Sequence, residues 1–172
     1  MEYKIDIVDI DLLKPNPNNA RQHTDRDIEN LVKSISKFGF KNPIIANKDG
    51  TILVGNGRYL ACKKLGIKQV PVHYTDMSEE DAKAFAIMDN RSTELSTWNL
   101  EYLLPQLEAL KLDNMLEYTG FDNVDFDNLK YKIEDYIHDI NYINNKQNED
   151  KKTKDNKKSD IVCPYCGGII KI

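Results

Sequence analysis

The sequence predicts an α+β fold followed by a helical extension, and three observations lead there. Short, apolar, β-branched segments recur at YKIDIVDI, PIIAN, TILVG and VPVHY, with the composition and length of strands. The segments between them carry helical spacing, opening on a capping residue and closing on glycine. From Trp98 onward apolar residues recur only at helical spacing, so strands mixed with helices give way to helices alone.

Taken in order, YKIDIVDI alternates with period two and runs into KPNPNNARQH, where proline and asparagine rule out regular structure. Thr24 is then an N-cap, with Asp27 at the third helical position to complete a capping box. Ile28, Leu31, Val32 and Ile35 mark the buried face of that helix, and Gly39 supplies a left-handed C-cap. PIIAN and TILVG flank Asp49-Gly50, a pair that accepts the positive φ angles of a tight hairpin turn, so two antiparallel strands are expected. Gly55 ends the second strand, NGRYLACKKLG continues as a short helix stopped by Gly66, and VPVHY forms another strand. Ser78 with Asp81 caps a helix expected to end near Met88, which places Asp89 and Asn90 at its C-terminus. Leu100, Leu103, Leu104, Leu107 and Leu110 mark a buried stripe that Pro105 is expected to kink or split. After a turn at YTGFD, the residues Phe126, Leu129, Ile133, Tyr136, Ile140 and Ile143 alternate spacings of three and four, the seam of a packed helix pair or homodimer.

The chain has 172 residues, 40% hydrophobic and 30% charged, enough to bury a core without disulfide staples. No apolar run approaches the roughly 20 residues of a membrane span. MEYKIDIVDI carries acids where a signal peptide would be basic and then apolar, so a cytoplasmic protein without a membrane partner is expected. Basic and acidic side chains number 17 and 24 over residues 1–143 but 7 and 4 over residues 144–172. NNKQNEDKKTKDNKKSD has no apolar residue to offset its ordering entropy and reads as a tether. The expected organisation is a domain over 1–98, a helical extension over 99–143, a flexible linker over 144–160 and a tail over 161–172. In that tail Cys163 and Cys166 have the Cys-x-x-Cys-Gly-Gly form of a zinc knuckle, half of a four-ligand Zn2+ site that a second chain or a histidine would complete.

The chemistry concentrates in TILVGNGRYLACKKLG, where a strand ends in a glycine turn that opens directly onto a helix. The first helical turn leaves the N–H groups of Asn56, Gly57 and Arg58 without intrahelical partners, and the macrodipole adds about half a positive charge there. Phosphate suits such a site, because Gly57 lets backbone approach the ligand and Arg58 offers a charge-assisted, two-pronged contact. His23, close in sequence to Arg21, is a phosphate-side candidate. Asp25, Asp27 and Glu29 are explained by a helix start, and Cys62 by a small buried apolar position.

Four segments, PNPNNAR (15–21), KSISKFGFKNPIIA (33–46), GNGRYLA (55–61) and DNR (89–91), follow one another in the order and spacing of a known family. Over about residues 5–98 the chain resembles the ParB-like N-terminal domain of the ParB/sulfiredoxin superfamily. The wider match, through STELSTW and TGFD to about residue 123, looks most like phage and prophage ParB-like proteins. The resemblance implies a small mixed sheet with helices and a nucleotide pocket, which binds CTP in chromosome-partition members. It carries nucleotide or phosphate roles onto Arg21, Gly39, Pro43, Gly55, Asn56, Gly57, Arg58, Asn90 and Arg91, with Ala61 completing the Gly-x-x-Arg-x-x-Ala turn. Asp89 and Asn90 match the acid-Asn motif that would hold Mg2+ against the phosphates. The turn departs from the usual Gly-Glu-Arg-Arg by one carboxylate and one arginine. Sulfiredoxin's turn carries a cysteine where this chain has Asn56, which removes sulfinic-acid repair.

The expected function is therefore that of a switch or adaptor binding a nucleoside triphosphate (CTP or ATP) with Mg2+ in a DNA-associated phage or prophage process. The enzyme alternative is an NTPase, a ParB-like nuclease or a small-molecule kinase. Residues 98–143 contain no recognition helix with a basic face, so DNA association is expected through a partner protein.

Overall fold

The computed structural model describes residues 4–132, 134, 135, 161, 162, 169 and 170. The chain divides into two compact units, Met1–Phe126 and Asp127–Ile172. In the first unit the strands β1 (Asp6–Asp9), β2 (Ile44–Asn47), β3 (Ile52–Val54) and β4 (Gln69–Thr75) form one sheet in the order β1-β4-β2-β3. β1 pairs with β4 and β2 with β3 antiparallel, while β2 and β4 run parallel, so the sheet is mixed as expected. Val8 lies opposite Val70, and Ile44 opposite Val72. Pro71 is tolerated in an inner strand because pairing with β2 begins only at Val72.

The helices are α1 (Asp25–Phe38), α2 (Asn56–Leu65), α3 (Glu79–Leu95) and α4 (Leu100–Leu112), and residues 123–132 are also helical. α1 forms on the Thr24–Asp27 capping box, with the Asp27 N–H donating to Thr24 Oγ1 at 3.2 Å and the Thr24 N–H to Asp27 Oδ2 at 3.2 Å. Its apolar face, through Ile28, Leu31, Val32 and Ile35, packs on a core of Ile10, Leu13, Ile44, Ala46, Ile52, Ala61, Cys62, Val70 and Val72. That core fixes α1 and α2 against the sheet and so sets the start of α2 beside the loop preceding α1.

Four sequence expectations change. β1 is shorter than YKIDIVDI and passes into a 3-10 turn at Ile10–Leu12, because Asp9 caps the turn by accepting from the Asp11 N–H at 2.9 Å. Gly39 has φ 75° but ψ 178°, a conformation open to glycine, rather than a left-handed helical cap. α3 runs on past Met88 to Leu95, so Asp89, Asn90 and Arg91 stand inside a helix. Asn90 Nδ2 bonds the Ala86 carbonyl at 2.8 Å, and Arg91 pairs with Glu94 one turn on. α4 is one helix with Pro105 inside it, so of the two outcomes expected at Pro105 the split into two helices does not occur; the Asn99 cap and the burial of Leu107 hold it.

Ile161–Val162 pairs antiparallel with Ile169–Ile170 in the second unit. The intervening Cys163 and Cys166, the proposed linker over 144–160 and the seam positions Ile133, Tyr136, Ile140 and Ile143 lie outside the described residues. Among the described residues no helix is long and apolar enough to cross a membrane.

Candidate functional site

Gly55 precedes α2 with φ 104°, and no side chain caps the helix. The first intrahelical bond runs from the Tyr59 N–H to the Gly55 carbonyl at 2.9 Å, leaving the N–H groups of Asn56, Gly57 and Arg58 aimed out of the helix. A side chain at Gly55 would crowd Arg58 itself, since a Cβ there would lie 3.1 Å from Nη2. Arg58 folds back so that Nη2 donates to the Pro43 carbonyl at 3.3 Å, while Nε is buried without a partner. Burial pushes its guanidinium below the ordinary value, with the negative charge of Asp89 working in the opposite direction. The side chain remains a cation at neutral pH, with an unused buried donor beside the positive end of a helix.

The remaining expected residues gather elsewhere in the same unit. Arg21, Asn90 and Arg91 line a cavity of about 640 Å³, together with Asn16 and Glu94. Glu94 bridges the two arginines, accepting from Arg21 Nη1 at 3.2 Å and from Arg91 Nη1 at 3.0 Å. The α2 turn is outside the cavity wall, but Asn16 joins the two, its N–H donating to Asn56 Oδ1 at 3.3 Å. Asp89 is half-buried in α3, next to Asn90 on the cavity and within electrostatic reach of Arg58. Gly39 serves the exit from α1, where a Cβ would meet nothing within 4 Å. Cys62 is fully buried, and burial pushes its thiol up to about 11, so it is inert at neutral pH as its small apolar setting suggested.

Sequence reasoning passed over two residues. Asn16 sits within the Pro-Asn-Pro segment, and Glu94 stands three residues after Arg91. The spacing of the second was a visible helical pair only once the helix was known to continue there.

The ParB N-terminal domain model matches residues 2–91. The chain belongs to the ParB N-terminal domain family. It is 40% identical over 60 residues to the ParB-like nuclease domain-containing protein YnaK of Escherichia coli (strain K12), a match covering 35% of this chain and 69% of that protein. Against the probable chromosome-partitioning protein ParB of Rickettsia bellii (strain RML369-C) identity is 33% over 87 residues, covering 50% of this chain and 30% of that protein. The chain therefore spans less than a third of this partition relative. Its fold is similar to a C-terminally truncated ParB of Caulobacter crescentus crystallised with CTP-gamma-S. The TM-score is 0.62 at 21% identity, over 73% of this chain and 76% of that one.

Proposed function

We propose that this ParB-like domain binds a nucleoside triphosphate, with its phosphates against the first turn of α2 and the rest of the ligand reaching into the adjoining cavity. The observation that carries the reading is the uncapped turn Gly55–Arg58, whose outward N–H groups lie beside the Arg58 guanidinium with its Nε buried and unpaired. The ligand of the Caulobacter crescentus structure makes CTP the first nucleotide to test. The cavity, about 640 Å³, is within the range of small-molecule sites.

Asp89 with Asn90 offers one carboxylate and one amide near the turn. Mg2+ suits this, since it is usually held by one or two carboxylates plus the phosphates themselves. The described residues contain no group of three or more metal-type ligands, so the phosphates would supply much of the coordination. Bound triphosphate would act as a switch or adaptor signal in a DNA-associated phage or prophage process, with DNA reached through a partner. Support for the DNA association comes from the chromosome-partitioning relatives, and support for a partner route from the acidic body, which is unsuited to binding DNA phosphates unaided.

Calorimetry with CTP, ATP, GTP and UTP, with and without Mg2+, tests the reading. Arg58→Ala is expected to weaken the tightest triphosphate at least thirtyfold, a loss of about 2 kcal/mol or more, the cost of leaving ligand charge unpaired. Unchanged binding of all four nucleotides by Arg58→Ala would refute the assignment.

A further inference from the structure

We propose that His23 is a further ligand-binding residue of this turn, donating a hydrogen bond from its imidazole to an anionic oxygen of the bound nucleotide. The inference rests on the assignment of the α2 turn to phosphate and adds a residue that comes from a different part of the chain.

Gly57 provides the first observation. In this turn positive φ is confined to Gly55, so the helical backbone at Gly57 would accept any residue. A side chain there would have to displace its neighbours. A Cβ on Gly57 would lie 2.8 Å from His23 Cε1, 3.1 Å from His23 Nδ1 and 2.9 Å from Leu31 Cδ1, closer than side chains pack. The edge of the imidazole therefore lies against Gly57, in the first turn of α2 and beside the outward-facing N–H groups.

The bonding of the ring is the second observation. His23 is half-buried, and neither ring nitrogen has a hydrogen-bond partner among the described residues. The imidazole nitrogens are not buried as Arg58 Nε is, so they are open to a ligand oxygen in place of water. At the same helix end Arg58 Nε is buried and unpaired, and Asp89 is within electrostatic reach of its guanidinium. A phosphate oxygen over the turn would accept from the imidazole as well as from the outward-facing backbone N–H groups.

The loop supplies the third. Asn16 bonds Asn56 at one end of the Pro-Asn segment, and His23 lies on Gly57 at the other, so the loop is pinned at both ends to the first turn of α2. A ring placed this way is preorganised, and little freedom remains to be lost on binding.

The test uses the full chain, the triphosphate that binds most tightly of the four, and its nucleoside. His23→Leu keeps an apolar side chain against Gly57 without a donor, and His23→Gln keeps a donor. His23→Leu is expected to bind the triphosphate about tenfold more weakly, His23→Gln within threefold of the parent, and both to bind the nucleoside as the parent does. Equal losses for triphosphate and nucleoside in His23→Leu would make His23 a packing residue and overturn the proposal. Parent-like triphosphate binding by His23→Leu, alongside a large loss in Arg58→Ala, would overturn it while leaving the phosphate turn intact. No loss in Arg58→Ala would sink both. Should the substituted chains fail to fold, the parent still decides: its His23 Cε1 NMR signal must shift on triphosphate addition and stay put with nucleoside, and an unmoved signal at saturation contradicts the proposal.

Discussion

Glu94 already occupies the two arginines that an anion in the cavity would use. Its carboxylate accepts from both Arg21 and Arg91, and all three side chains are 42–59% exposed, so each pair contributes only about 0.2–1 kcal/mol. A triphosphate reaching from the α2 turn toward these arginines must compete with that carboxylate and meets its repulsion. Glu94→Gln is accordingly expected to raise triphosphate affinity about two- to fivefold in calorimetry. Unchanged or weaker binding would mean that Arg21 and Arg91 do not touch the ligand. At this scale the turn residues were legible because their role depends on backbone: a strand, Gly-x-Gly and a helix start define the unpaired N–H groups whatever surrounds them. The bridge through Glu94 was not legible, because it joins residues 73 positions apart. The packing of His23 on Gly57 was equally hidden, since a glycine in a helix shows that a side chain is missing without showing what fills its place.

Among the elements, the hairpin was written in Asp49-Gly50, and the structure adds what the turn rests on. Gly50 has φ 87°, and a Cβ there would lie 2.5 Å from the Leu12 carbonyl oxygen. Around it the Lys14 N–H donates to the Gly50 carbonyl and the Ile52 N–H to the Lys14 carbonyl, each at 2.9 Å. Gly50→Ala therefore combines backbone strain with a collision against main chain, and about 2–4 kcal/mol of destabilisation is expected in urea unfolding. An unaltered midpoint would contradict the packing of the hairpin on the segment after β1. Helix ends were less legible than helix starts. Thr24 and Ser78 announce themselves by side-chain chemistry, with the Asp81 N–H donating to Ser78 Oγ at 3.1 Å. No comparable signal marks Leu95, and Asp89, Asn90, Ser92 and Thr93 are poor helix formers by propensity. They remain helical because local bonds, including Ser92 Oγ to the Asp89 carbonyl at 2.9 Å, satisfy the groups that would otherwise favour unwinding.

For the molecule as a whole, large apolar side chains remain exposed along α3, α4 and the turn between them: Met88 is 61%, Leu95 64%, Trp98 67% and Tyr102 70% exposed. Phe126, the first residue of the expected seam, is buried within the first unit, with the Lys111 ammonium 4.5 Å from its ring centre. The exposed residues are numerous enough for an association surface, and we expect a homodimer. Light scattering over a range of concentrations, with and without triphosphate, should show it, and a monomer throughout would remove it. The fold was legible at this scale because four motif segments in order specify a common core, whereas the spacing of the Phe126 to Ile143 seam does not distinguish a partner helix of the same chain from a second copy. The central claim remains that phosphates bind at the first turn of α2. The most direct measurement is a backbone amide NMR titration of the parent chain with the tightest triphosphate and Mg2+. The largest shifts are predicted at the Asn56, Gly57 and Arg58 amides, with smaller ones at Arg21 and Asn90; saturation of binding with the three turn amides unmoved would contradict the account.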